Sequence, residues 1–287
     1  VIEHYIASMR ALITGSHGQL GKDTVRHCVE SGDDVTGLSH AELDITDATA
    51  VQHAVAQASP DIIINCAAWT AVDDCESDPH RAHLINAQAV GYLADAATAA
   101  GAHLVHVSTD YVFDGLKVGD YIETDATNPL NVYGRSKLAG EAAAGPTASI
   151  VRTSWLCSAH GGNMVETILR LAQTNPDLRF VSDQRGNPTF AADLAPALRA
   201  LAVERHAGTM HITNSGTVSW FEFAQAVLGA AGRDPACVQP IPASELTTGS
   251  APRPANSALS NDLLASLGYR PLRDFRDALA EVVVAYR

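Results

Sequence analysis

Tyr133 and Lys137 stand four residues apart in the stretch Tyr133-Gly134-Arg135-Ser136-Lys137. On a helix that spacing puts both side chains on one face, one turn apart. A lysine ammonium beside a phenol favours the phenolate and pulls the tyrosine pKa toward working pH, so the pair can deliver a proton. Upstream, Ser108-Thr109-Asp110-Tyr111 puts a hydroxyl at the end of the apolar run from His103, which reads as a strand. Thr109 is therefore expected to hold a substrate oxygen in line with the phenol. Tyr-x-x-x-Lys also describes an ordinary amphipathic helix, so its meaning rests on the elements around it.

Those elements begin with Arg10 to Gly15, an apolar run ending in glycine that reads as a buried first strand. Gly15, Gly18 and Gly21 follow at three-residue intervals before a helical stretch that runs to about Ser31. Glycines so placed let the backbone turn tightly and approach a pyrophosphate, which then faces the free N–H groups of the helix N-terminus. The second strand, Asp34 to Leu38, ends without the acid that binds the ribose 2′-hydroxyl in NAD-selective sites. Leu38, Ser39 and His40 stand there instead, and Ser39, His40 and His17 could donate to a 2′-phosphate. NADPH is the expected cofactor, with NADH possible.

Asp61 to Cys66 reads as a third strand buried on both faces. Ala67, Ala68, Trp69 and Thr70 lie just past its end, where open parallel sheets bind ligands, although the same stretch also reads as a tight loop with a packed tryptophan. A long helix from Pro79 to Ala100, the fourth strand, a long loop from Asp110 to Pro129, the Tyr133 helix from Asn131 to Ala144 and a fifth strand to Trp155 complete the pattern. Serial βα units predict an α/β fold, a doubly wound parallel (Rossmann-type) sheet.

Beyond Trp155 the rhythm loosens, which predicts a smaller α/β substrate-binding lobe built from C-terminal segments. The expected division is a dinucleotide-binding domain over 9–155 with later returns near 178–213, and a mostly substrate-binding, interleaved lobe over 156–287. Arg185 sits among the rigid turn residues of Gln184 to Thr189, which could clasp a phosphate or form a plain surface loop. Pro235 to Pro254 holds five of the 13 prolines and is expected to lie extended over the substrate side.

The net charge of −13 argues against a nucleic-acid or anionic-membrane partner. Five scattered cysteines without a C-x-x-C fit reduced thiols in a cytoplasmic protein, and the 12 histidines do not cluster as ligands, so no metal site is expected. No stretch reaches the roughly 18 apolar residues needed to span a bilayer. Val1 to Ser8 lacks the pattern of a signal peptide, and Met9-Arg10 reads as an alternative start.

With the glycine loop, Ser-Thr-Asp-Tyr-Val-Phe-Asp at 108–114 and Tyr-Gly-Arg-Ser-Lys at 133–137 in this order, the chain resembles the extended short-chain dehydrogenases/reductases. Within them it is most similar to the dTDP-4-dehydrorhamnose reductase family, from about Arg10 to the C-terminus. More specific marks are Leu-Asp-Ile-Thr-Asp at 43–47, Cys-Ala-Ala-Trp-Thr-Ala-Val-Asp at 66–73, Arg-Thr-Ser-Trp at 152–155 and Asp-Gln-Arg-Gly-Asn-Pro-Thr at 183–189.

The resemblance implies a triad of Thr109, Tyr133 and Lys137. It implies hydride transfer from NADPH or NADH to C4 of dTDP-4-dehydro-6-deoxy-L-mannose, with Tyr133 protonating the oxygen, to give dTDP-L-rhamnose. It places Gly18, Gln19 and Leu20 at the cofactor phosphates and Asp44 and Ile45 beside the adenine. Ala68, Trp69 and Thr70 fall at the nicotinamide half, with Val107 in the same cofactor set and Lys137 on the nicotinamide ribose. Thr109, Asp110, Tyr111 and Trp155 face the sugar nucleotide.

Two departures accompany it. Trp69 replaces a commoner tyrosine or histidine. Asp23 and Ala192 stand where some members carry glutamates for a magnesium-bridged dimer, so Mg2+ is doubtful and the chain is expected as a monomer or homodimer. The alternatives are another sugar-nucleotide epimerase or reductase, or a non-catalytic dinucleotide-binding regulatory subunit. A dehydratase normally has an acid pair after the threonine, where only Asp110 stands, and regulatory relatives usually lose part of the triad, which is complete here.

Overall fold

The computed structural model describes residues 8–175, 177–246, 249 and 251–286. The first half alternates β1 (Arg10–Thr14), α1 (Gln19–Glu30), β2 (Asp34–Leu38), α2 (Ala48–Ala58) and β3 (Ile62–Asn65). Then come α3 (Val72–Ser77), α4 (Pro79–His83), α5 (Ala89–Ala100), β4 (His103–Thr109), α6 (Val132–Ala144) and β5 (Ser149–Thr153). A further strand, Gly208–His211, pairs in parallel with β5. The resulting six-stranded parallel sheet runs in the order Gly208–His211, β5, β4, β3, β1, β2. After β2 the chain crosses back over β1 to start β3, so the connections diverge at the C-terminal ends of β1 and β3. That divergence opens the crevice where such sheets take ligands.

Burial on both faces explains the apolar runs. Ile13, Ile62, Ile64 and Val105 meet α1 and the helix Ala191–Glu204 on one side, and Leu12, Ile63 and Leu104 meet α2 and α5 on the other. The predicted long helix over 79–100 carries a π-helical turn, Leu84–Gln88, between α4 and α5. Such insertions re-aim one turn of side chains and recur at functional sites.

The C-terminal segments build a second core from Val165, Ile168, Phe223, Val227, Phe275 and Leu279. The strand expected from Leu178 does not join the large sheet. Leu178–Val181 pairs with Val238–Ile241, because the preceding helix Met164–Thr174 buries its apolar face in this second core rather than on the sheet. The return is made by Ala191–Glu204 and Gly208–His211 alone. The proline-rich stretch is less extended than expected, with a 3-10 turn at Pro235–Cys237 before that strand. Thr247, Thr248 and Ser250 within it lie outside the described residues. Arg199 on the returning helix grips Asp33 through two bonds of 2.7 Å. Among the described residues no helix is long and apolar enough to cross a membrane.

Candidate active site

The turn after β1 is shaped by contact between glycines. Gly15 has φ +67°, and a Cβ on Gly21 would lie 2.1 Å from the Gly15 carbonyl oxygen. Gly21 thus packs α1 against the turn and lies behind the cavity wall. Gly18 caps α1 with no side chain on the first N–H groups, leaving them open to an anion. Beside them lies a cleft of about 570 Å³ lined by Gly15, Gly18, Ser39, His40, Asp44, Ile45, Ala67, Ala68 and Trp69. A second cleft of about 400 Å³ adjoins it through Gly18, Cys66 and Ala68. Its walls are Gln19, Leu20, Thr70, Val107, Thr109, Asp110, Tyr111, Tyr133, Lys137 and Trp155, joined by Trp220.

Helix α6 is held to this cleft at several points. Asn131 caps it by accepting from the Gly134 N–H at 2.7 Å. Gly134 packs so closely beneath Tyr111 that a Cβ would sit 2.2 Å from the Tyr111 carbonyl oxygen. Asn86, on the π-helical turn, donates to Ser136 Oγ at 3.0 Å and brackets Trp69 by bonding both its N–H and its carbonyl. Glu141 accepts two bonds from buried Arg152, at 2.8 and 2.7 Å, and one from Ser108 at 2.6 Å, which ties α6 to β4 and β5.

The expected contact of ammonium with phenol is not formed. Lys137 Nζ donates to the Val107 carbonyl at 2.7 Å and lies 3.3 Å from His106 Nε2. Tyr133 instead lies near Thr109, and burial pushes its phenol above the usual tyrosine value rather than below it. Burial also pushes Lys137 down to about 8, with the nearby Glu141 charge opposing. Both shifts have one cause. A deeply buried site penalises whichever form is charged.

His106 is itself oriented by Asn65. The Asn65 carbonyl oxygen accepts from the Ala67 N–H at 3.1 Å and from Thr14 at 2.7 Å, so its amide nitrogen faces His106 Nδ1 at 3.0 Å. A neutral His106 accepting there carries its proton on Nε2, toward Lys137.

Around the triad, Thr109 Oγ1 donates to Asp110 at 2.9 Å and accepts from the Tyr111 N–H at 3.2 Å. Burial raises Asp110 to about 6, against hydrogen bonds that favour its ionised form. Tyr111 meets Tyr133 edge-on, with ring centroids 5.8 Å apart. Trp155 adopts a left-handed φ of 45°, which is uncommon for a bulky side chain and typical of functional positions. Its ring stacks on Trp220 at 3.5 Å.

Arg185 is not brought to either cleft. Its guanidinium reaches Glu222 at 3.5 Å and the Thr217 carbonyl at 3.3 Å, since the turn carrying it is held through Asn187 to Leu259 and Thr217. Asp23 is buried, 2.8 Å from Arg26 and 3.6 Å from His160. Among the described residues no three His, Cys, Asp or Glu side chains group as metal ligands.

Several residues in and around the clefts escape a reading of the sequence. Trp220 follows the capping-box serine Ser219 of a remote helix, Asn86 lies within a helix, and Arg81 stacks over Trp69 at 4.6 Å from α4. Arg253 pairs with Asp73 at 2.8 Å and lies near Tyr111, 142 positions away along the chain. A helical Trp immediately after a capping serine was the one local signal available.

The RmlD substrate binding domain family matches residues 9–287. A Streptomyces antibioticus protein described as "Probable dTDP-4,6-dihydroxy-2-methyloxan-3-one 4-ketoreductase" is 44% identical, covering 95% of this chain and 94% of its own. The dTDP-4-dehydrorhamnose reductase of Mycolicibacterium smegmatis is 41% identical over 98% of this chain and 86% of its own. The crystal structure of dTDP-4-dehydrorhamnose reductase from Bacillus anthracis in complex with NADP superposes with a TM-score of 0.92 at 36% identity, covering 97% of this chain and 99% of that one. By sequence along its length and by fold, the chain belongs to the RmlD family, that of the dTDP-4-dehydrorhamnose reductases.

Proposed function

We propose that the protein reduces the C4 keto group of dTDP-4-dehydrorhamnose to give dTDP-L-rhamnose, using NADPH or NADH. The observation that carries this reading is the convergence of Thr109, Tyr133 and Lys137 in a cleft continuous with one opening at the phosphate-binding turn. The relatives supply the sugar class, since their names place dTDP and a 4-keto sugar together. The site residues divide accordingly: Gly15, Gly18, Asp44 and Ile45 toward the adenosine and phosphates, Ala68 to Thr70 and Val107 toward the nicotinamide half, and Asp110, Tyr111 and Trp155 toward the sugar nucleotide.

The reduced dinucleotide, when bound, supplies the hydride. Thr109 and Tyr133 hold the substrate oxygen between two hydroxyls, and Tyr133 gives its proton to that oxygen as negative charge develops there. Lys137, bonded to the Val107 carbonyl here, would hold the nicotinamide ribose and bring positive charge near the phenol. The raised pKa of Tyr133 keeps it protonated, as a donor must be. The Rossmann portion is assigned to 9–155 with the return at 191–213, and the remainder to the sugar-nucleotide lobe.

Tyr133→Phe deletes the phenolic hydroxyl and keeps the ring. Cofactor oxidation followed at 340 nm with dTDP-4-dehydrorhamnose should fall about a hundred- to ten-thousand-fold while dinucleotide binding persists. Wild-type-like turnover in that variant rules out Tyr133 as the donor. No oxidation by the wild type with this sugar, but oxidation with the substrate of the Streptomyces relative, would move the assignment to that 4-ketoreductase.

A further inference from the structure

Beside the adenosine end of the first cleft, on a residue that lines it, sits a carboxylate that the end of β2 does not reveal. Ser39 is nearly buried and lines that cleft with His17, His40 and Asp44. Its N–H donates to Glu42 Oε2 at 2.8 Å, and its hydroxyl donates to the same oxygen at 2.7 Å. Two backbone bonds fold the chain back to make this possible: Glu42 N and Leu43 N both reach the Ser39 carbonyl, at 3.0 and 2.9 Å. Glu42 follows the third glycine of the turn by 21 positions, close to the interval of about 20 at which an acid reads the ribose in dinucleotide folds.

Ser39 offers the two donors that a 2′-phosphate would seek at this place, and both are already used by a negative charge. The cleft's arginine, Arg81, is engaged over Trp69 at 4.6 Å. Lys22 and Arg26 line a neighbouring groove that meets this cleft at His17, and Arg26 is paired with Asp23 at 2.8 Å.

We propose that Glu42 is a cofactor-specificity residue, seated on Ser39 so that its carboxylate receives a ribose 2′-hydroxyl and opposes a 2′-phosphate. The inference rests on the dinucleotide-binding reading above and deepens it. A 2′-phosphate entering here must either displace the carboxylate from Ser39 or sit beside it. Like charges a few ångströms apart at a partly solvated surface are worth about tenfold in affinity, and salt screens the effect.

The test is direct titration of wild type, Glu42→Gln and Glu42→Ala with NADH and with NADPH, without sugar, reading nicotinamide fluorescence or heat. Both variants should lower the Kd for NADPH relative to that for NADH by about tenfold, with a smaller shift at high salt. Glu42→Gln keeps a side chain of the same shape on Ser39, so the same shift there assigns the effect to charge. A ratio of the two Kd values unchanged in both variants overturns the inference while leaving the dinucleotide reading intact. Binding of neither cofactor by wild type overturns both.

Discussion

Lys137 shows how far burial alone moves a functional group. It is pushed down to about 8 by the surrounding protein, with the Glu141 charge pulling the other way, and the Nε2 side of His106 lies 3.3 Å from it. Its folded-state pKa lies below the unfolded value, so charging the amine costs stability below pH 8, and that cost fades as the pH rises through about 8 toward the ordinary lysine value. The ammonium proposed to hold a ribose is lost as the pH rises through about 8. The Kd for the dinucleotide should therefore weaken several-fold between about pH 7 and pH 9. Lys137→Met should bind weakly and without that dependence. If the variant shows the wild-type slope, Lys137 is not the group responsible.

Spacing along the chain showed that Tyr133 and Lys137 share a helix face. It did not show that Lys137 would turn to Val107 and His106, because those partners come from β4, some 30 positions away in sequence.

At the scale of elements, the position of α6 depends on one missing Cβ. Gly134 lies between the two triad members of the helix, and its contact with the Tyr111 carbonyl sets how closely Tyr133 approaches Thr109. Gly134→Ala would drive a methyl group to within 2.2 Å of that carbonyl oxygen. The helix or the Ser108–Tyr111 segment must then move. A loss of about 1–3 kcal/mol in denaturant unfolding is expected, from overpacking only partly offset by helix propensity. Turnover should fall further than stability accounts for, because a displacement near 1 Å can cost about a hundredfold in rate. Unchanged kcat in a stably folded Gly134→Ala protein would show that this contact does not set the geometry. In the sequence Gly134 looks like a weak point in a helix. Its reason lies in a loop packed on top.

At the scale of the molecule, the returning helix Ala191–Glu204 and α1 form a layer closed by Arg199 and Asp33. Burial would raise the Asp33 carboxyl, but the bonds from Arg199 and from the Met9 N–H outweigh it and hold the pKa below its ordinary value. A depressed carboxylate contributes stability above its unfolded pKa and loses that contribution as pH falls through the folded value. Arg199→Ala leaves burial unopposed by the guanidinium, so the variant should unfold at higher pH than wild type in an acid titration. It should also lose about 3–5 kcal/mol at neutral pH, the typical cost of stranding one member of a buried pair. Coincident acid transitions for the two proteins would remove the pair from the stability of this layer.

The succession of strands and helices in the first half, the glycine turn and the Thr109–Tyr133–Lys137 set were legible in the sequence because each is written locally. Apolar runs of strand length, glycines at fixed spacing and an i, i+4 pair need no distant partner to be recognised. The strand at 178–181 was misplaced because a strand's period says that it is buried and not which sheet buries it. Arg185 was drawn to the site by its neighbours in sequence and held away from it by Glu222 and Thr217. Trp220 reached the second cleft from a remote segment, as Asn86 and Arg253 reached Trp69 and Asp73. Glu42 was passed over because β2 ends at Leu38 and only the folded turn carries the carboxylate back to Ser39. Local backbone preference and periodicity thus determined the elements and the chemistry available, whereas long-range packing decided each group's partners, and through burial, its charge.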